Sequence, residues 1–186
     1  MNRIIKIFVF VFFVDLIIFS CGKAYTYEWT YIIAKNMDKD LEVNSDSISN
    51  DNYGIRVHFF DRKYAYNNYS FFINKTYATT KPHNSRKTDI VNINIKTLNK
   101  LNNEYGEFSI VNNLFEYYIN NEFGTYKCDS IGECINVLNN VYDKTESFDL
   151  KLNYNQITDT IHQFIIQIEL SDNKILTSTT APLRIY

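Results

Sequence analysis

Glycine and proline are scarce in this chain, at 5 and 2 of 186 residues. So few glycines leave little material for the loops that cradle phosphate groups, and neither a GxSxG nor an HExxH pattern occurs. Histidine occurs three times, as His58, His83 and His162, far apart along the chain. This favours isolated strand or surface histidines over a sequence-local catalytic or metal motif. A basic excess is also missing. Lys and Arg number 19 against 21 Asp and Glu, a formal net charge of −2. Nucleic-acid binding therefore has no electrostatic support. No metal site, cofactor or catalytic residue is expected. Acidic pairs at Asp38/Asp40 and Asp46/Asp51 could face a cation, but the EF-hand spacing and its glycine are absent, which favours solvated loops.

The chain can still build a core: 45% of its residues are hydrophobic and 22% charged. Asn, Ile, Lys, Tyr and Phe are abundant, all residue types with AT-rich codons, so a cluster of Tyr or Asn is weak grounds for function by itself.

Residues 1–20 read as an export signal. Arg3 and Lys6 precede an apolar run from Ile7 to Phe19, broken only by Asp15. That run is too short to span a bilayer, which needs ~20 residues, and has the length of a signal-peptide core. Ile18-Phe19-Ser20-Cys21-Gly22 resembles the bacterial lipobox, with Ser20 at the small position and Cys21 as the lipid acceptor. Three acyl chains on Cys21 exceed what stable anchoring requires. The mature chain would begin at Cys21, with 21–24 as lipidated terminus and short tether and 25–186 as a single domain. Gly22 is not the Asp that signals inner-membrane retention, and no acidic run follows Cys21. The first favours sorting to the outer membrane, and the second favours facing the periplasm over facing outward.

With Cys21 assigned to the lipid, Cys128 and Cys134 form the remaining pair, in CDSIGEC. An oxidising compartment makes a disulfide the expected state. Free thiols and a metal site are the rivals. The metal reading needs about four ligands, and no His lies within twenty residues.

Period-two alternation recurs in the mature chain and predicts half-buried strands. Ile55, Val57 and Phe59 oppose Arg56 and His58; Val91, Ile93 and Ile95 oppose Asn92, Asn94 and Lys96. Phe148, Leu150 and Leu152 alternate, as do Phe164, Ile166, Ile168 and Leu170. Residues 171–174 (SDNK) then predict a turn into a partner strand over 175–180. Further strands are expected over 25–33 and 64–77, a loop over 37–52 and a polar turn over 81–87. Leu114, Phe115, Tyr118 and Ile119 recur at helical spacing, and Ile135, Leu138 and Val141 do so weakly. These predict one or two short helices within an insertion at 98–142. Six to eight short strands without βα alternation predict a mainly β protein, an antiparallel immunoglobulin-like β-sandwich.

The aromatic run Tyr64, Tyr66, Tyr69, Phe71, Phe72 and Tyr77 is the best candidate binding surface, with Tyr64, Tyr66 and Tyr69 as possible stacking residues. Ordinary strand packing is the competing explanation. Asp46-Ser47-Ile48, Asp129-Ser130-Ile131 and Asp159-Thr160-Ile161 each fit Asp-(Ser/Thr)-aliphatic, which resembles the O-glycosylation acceptor of exported Bacteroidota proteins. Ser47, Ser130 and Thr160 are the acceptors so marked.

The lipobox at Cys21, YTYEWT at 25–30, NYGIRVHF at 52–59, DIVNINIKT at 89–97 and the ending HQFIIQIELSDNKILTSTTAPLRI resemble small Bacteroidota lipoproteins classed as domains of unknown function. The resemblance implies a lipid-anchored, β-rich envelope protein and carries no active-site residues. The reading reached is a non-enzymatic binding or structural module, attached to the membrane through Cys21, with a glycan or an envelope protein as partner. A glycan-binding accessory module, a fimbria-type assembly subunit with an unpaired edge strand, and a hydrolase with a site assembled from distant residues are the alternatives.

Overall fold

The computed structural model describes residues 25–43, 45–65, 85–121, 124–140, 145–154, 157 and 159–186. The chain divides into two compact units, residues 1–27 with 63–85 and residues 28–62 with 86–186. Of the first unit, residues 25–27, 63–65 and 85 are described, each within a strand. All contacts below belong to the second.

The described chain is mainly β. Its principal sheet runs in the order β2 (Leu41–Glu42), β1 (Tyr25–Asp38), β4 (Tyr53–Ala65), β9 (Thr145–Leu152), β7 (Phe115–Asn121), β8 (Gly124–Cys128). Two smaller sheets run β12 (Ile175–Thr179), β11 (Phe164–Leu170), β6 (Ile90–Thr97) and β10 (Thr160–His162), β13 (Leu183–Ile185), β3 (Ser47–Ile48). β4, β9, β7 and β8 pair antiparallel in turn, as do β12, β11 and β6; β13 and β3 run parallel. β5 is the short strand Ser85–Arg86.

The alternations in the sequence become the core. Ile55, Val57, Phe148, Leu150, Phe115 and Ile119 from the principal sheet are buried with Ile93, Ile95, Phe164, Ile166 and Ile168 in one cluster. Phe164 meets Phe115 edge-on at 5.5 Å and Tyr53 at 5.7 Å. Two antiparallel sheets closing on one core are consistent with a β-sandwich. Gly54 is needed where β4 crosses β9. A Cβ there would stand 2.8 Å from the Leu150 carbonyl oxygen and 2.9 Å from the Met37 methyl.

The 171–174 turn forms as expected. Asn173 takes a positive φ of 66°, which Asn tolerates, and its N–H donates to the Leu170 carbonyl at 2.9 Å. Two expectations are corrected. Leu114, Phe115, Tyr118 and Ile119, whose spacing predicts a helix, lie in a short 3-10 turn, Asn112–Leu114, and in strand β7. Phe115, Tyr117 and Ile119 point inward while Glu116, Tyr118 and Asn120 point to the other face. Tyr118 satisfied the helical spacing only because its ring counts as apolar, yet its hydroxyl donates to Glu116. The loop expected over 37–52 carries β2, β3 and a short 3-10 turn at Asn50–Asn52. Val91 also departs from its expected phase. A bulge where β6 meets β11 turns Ile90 inward and leaves Val91 exposed.

Among the described residues the α-helix is α1, Ile131–Asn140, lying against β6, β7 and β8. Ser130 caps it, accepting from the Glu133 N–H at 3.2 Å, while the Glu133 carboxylate accepts from the Asp129 N–H at 2.6 Å. From α1, Asn139 closes part of the β6 edge. Its amide accepts from the Ile90 N–H at 2.8 Å and donates to the Ile90 carbonyl at 2.9 Å. Asn112 does the same to Ile95 N–H and the Ile93 carbonyl, at 2.7 and 2.9 Å. Two side-chain amides thus substitute for a neighbouring strand. No helix among the described residues is long and apolar enough to cross a membrane.

Candidate functional site

The outer phase of β4, β9, β7 and β8 is polar, and strand register makes those residues neighbours. Arg56 stands opposite Asp149, and Asp149 opposite Tyr118; His58 stands opposite Ser147, Ser147 opposite Asn120, and Asn120 opposite Thr125. Two rows of side chains cross the sheet. Over the second row opens a cleft of about 330 Å³ lined by Arg56, His58, Asn120, Asn121, Gly124, Thr125 and Ser147.

A buried carboxylate organises the floor. Asp149 is 3% exposed. It accepts two bonds from the Arg56 guanidinium, at 2.8 and 2.7 Å, a third from the Asn120 amide at 2.6 Å and a fourth from the Ser147 hydroxyl at 3.4 Å. Asn120 also donates to Ser147 Oγ at 3.0 Å and accepts from Thr125 at 2.8 Å. A buried charge persists only when so satisfied, and here satisfaction fixes the positions of three lining side chains. The Asp149 bond, opposed in part by burial, raises the Arg56 pKa.

A second carboxylate flanks the cleft. Glu42 accepts from Lys35 at 2.5 Å through one oxygen and pairs with His58 Nε2 through the other. The Lys35 bond is the largest influence holding Glu42 below its ordinary value, against a smaller opposing effect of burial. Farther along the same face, Lys151 pairs with Asp40 at 2.8 Å and lies 4.8 Å above the Tyr118 ring, while Lys127 pairs with Glu116 at 2.9 Å. A second hollow, of about 280 Å³, opens beside Lys39, Asp40, Asp51 and Lys151.

Next to the cleft, two aromatic rings are exposed. Phe60 lies two residues beyond His58 and shares its face; Tyr31 comes from β1. Their rings stack at 4.5 Å with planes 8° apart, and Tyr31 is 52% exposed.

The sulfurs of Cys128 and Cys134 are bonded, with Cα atoms 5.6 Å apart, tying the end of β8 to the first turn of α1. This is the sequence-predicted pair that the structure brings together. Cys21, Tyr66 and Tyr69 lie outside the described residues; Tyr64 is described only as a backbone position in β4. Ser47 is exposed in β3, Ser130 is the exposed helix cap and Thr160 is exposed in β10. His162 is buried in β10, and His83 lies outside the described residues. No group of three or more His, Cys, Asp or Glu among the described residues is placed to hold a metal.

The sequence reading missed Tyr31, Phe60 and the network around Asp149. The signal was parity. In GIRVHFF, Phe60 falls in phase with Arg56 and His58; in ESFDLKL, Ser147 and Asp149 oppose Phe148 and Leu150. Comparison with known proteins gives no relative: no protein-family model, no curated protein and no solved structure matches the chain.

Proposed function

We propose that this protein is a non-enzymatic, lipid-anchored binding module of a bacterial outer membrane. Acyl chains on Cys21 hold it, it faces the periplasm, and an immunoglobulin-like sandwich presents the cleft between β4, β9, β7 and β8 to a glycan or envelope-protein ligand. The observation that carries the binding role is the hub at Asp149, which fixes Arg56, Asn120 and Ser147 around an open cleft before any ligand arrives. Preorganised polar groups of this kind give a binding site its specificity.

Hydrogen bonds hold the polar groups of the cleft in place: Ser147 is bonded to Asp149 and Asn120, and His58 to Glu42. The export signal, the lipobox and the disulfide support an envelope location.

Two measurements test the reading. Mass spectrometry of the amino-terminal peptide from native membranes should show a chain beginning at an acylated Cys21; an unmodified terminus at another residue contradicts the anchor. In NMR titrations with soluble fragments of cell envelope, saccharide or peptide, the side-chain amides of Asn120 and Asn121 should shift saturably. Shifts confined to other faces of the molecule contradict the cleft.

A further inference from the structure

Resting on the cleft as ligand site, we infer that its ligand is an uncharged saccharide. One sugar unit sits among the cleft amides and hydroxyls, and a neighbouring unit packs against the exposed Tyr31–Phe60 pair.

Three independent observations converge on this chemistry. The first is the lining. Asn120, Asn121, Thr125 and Ser147 line it with amides and hydroxyls. Asn120 spends its N–H groups on Asp149 and Ser147, and Thr125 spends its hydroxyl on Asn120, so these two side chains present oxygens to a ligand, and sugar hydroxyls donate to oxygens. Asn120 is held at both ends, by Asp149 and by Thr125, so its amide is presented in one orientation.

The second is charge. The guanidinium at the cleft faces a carboxylate: Arg56 is bidentate to Asp149, and beside it His58 and Lys35 share Glu42. An anionic ligand would have to compete with these carboxylates, two of whose contacts are the short, charge-assisted kind. The cleft therefore disfavours phosphate, sulfate and uronate groups, and a neutral polyol meets no such competition.

The third is the aromatic ledge. Two stacked rings 4.5 Å apart match the ~4.8 Å spacing of paired strands, so the stack runs across the sheet. Tyr31 covers one face of Phe60. Phe60 follows His58, which lines the cleft, on the same face of β4. The C–H face of a pyranose is apolar and flat, and an exposed ring face beside hydrogen-bonding groups is the surface it fits. Codon bias accounts for the number of aromatic residues in the chain, but not for a stacked, solvent-facing pair in phase with the cleft.

The full chain in detergent micelles would be titrated calorimetrically with short neutral oligosaccharides of glucose, mannose, galactose and N-acetylglucosamine. Uronic-acid and sulfated oligosaccharides and short peptides would be run beside them. Saturable binding to a neutral saccharide is expected, little changed between low and high salt. Tyr31→Ala and Phe60→Ala should each weaken it by about tenfold, the loss typical of a truncated aromatic anchor, and Tyr31→Phe should retain it. Tyr31 is 52% and Phe60 36% exposed, so binding is read at a temperature where circular dichroism shows each variant folded, and a lost signal then reports on the ledge. Binding confined to anionic saccharides overturns the inference. So does neutral-saccharide binding that Phe60→Ala leaves intact, or no saccharide binding at all. Should a peptide shift the Asn120 and Asn121 amides while every saccharide fails, the cleft survives and its saccharide specificity falls. Should neither act there, both fall.

Discussion

Arg56 and Asp149 sit directly opposite each other on β4 and β9 and meet through two parallel N–H···O bonds of 2.8 and 2.7 Å. The Asp149 side chain is 4% exposed and that of Arg56 22%. Among the described residues, removing the cation leaves a buried carboxylate held by Asn120 and Ser147. Arg56→Met should therefore cost about 3 kcal/mol in urea unfolding, the scale for breaking a buried pair. The double variant Arg56→Met with Asp149→Leu should recover part of that loss, since no charge is then stranded. A double variant less stable than Arg56→Met alone contradicts this account of the hub.

Gly54 is defined by what a side chain would strike. Gly54→Ala places a methyl against the Leu150 carbonyl oxygen, a backbone atom that cannot swing aside. The pairing of β4 with β9 must then open. A loss of about 1–3 kcal/mol is expected, as for other overpacked cores. Unchanged denaturant midpoints would mean that the strands separate without cost.

Acid should weaken the outer-face network. Lys35 and His58 hold the Glu42 pKa low, Lys151 does so for Asp40, and Tyr118 and Lys127 for Glu116. A carboxylate depressed in the folded state contributes stability above its unfolded pKa, and that contribution is lost as pH falls through the folded value. Stability should thus decline as pH drops below the ordinary Glu value near 4.5. These groups are largely exposed, so each contribution is small. NMR titration should place the Glu42 midpoint below its ordinary value and move it upward in Lys35→Met. A midpoint that does not move excludes Lys35 as the main cause.

The Cys128–Cys134 bridge closes a short loop, so its removal should cost only about 2 kcal/mol on the chain-entropy account. Cys128→Ser with Cys134→Ser should fold and melt lower. The largest increase in amide exchange should fall at residues 128–134, where β8 is tied to α1. A uniform increase across the principal sheet would show that the bridge supports the whole fold.

Strand phase was legible wherever polar and apolar residues alternate cleanly. Ile55 and Val57 against Arg56 and His58, and the 164–170 strand with its 171–174 turn, fold as their patterns predict. Residues 115–119 were misread because a tyrosine at 118 fits either period; the burial of Phe115, Tyr117 and Ile119 and the outward hydroxyl bond of Tyr118 to Glu116 show which applies. The bulge at Val91 was not legible, because it depends on how β6 meets β11. The cleft was not legible for the same reason. Each strand revealed its own polar phase, but Arg56, Asp149 and Asn120 become neighbours only through register between segments far apart in sequence.

The affinity of Asn120→Ala and Thr125→Ala for an envelope fragment that binds the wild-type chain tests the central claim most directly, with Lys100→Ala, exposed and away from the cleft, as reference. Among the described residues, Thr125 meets the hub through Asn120, so it probes the cleft with little effect on the fold. The account predicts that both cleft variants weaken binding by about tenfold or more while Lys100→Ala matches the wild type. Equal affinity across all three variants, with each chain fully folded, would place the ligand elsewhere and contradict the claim.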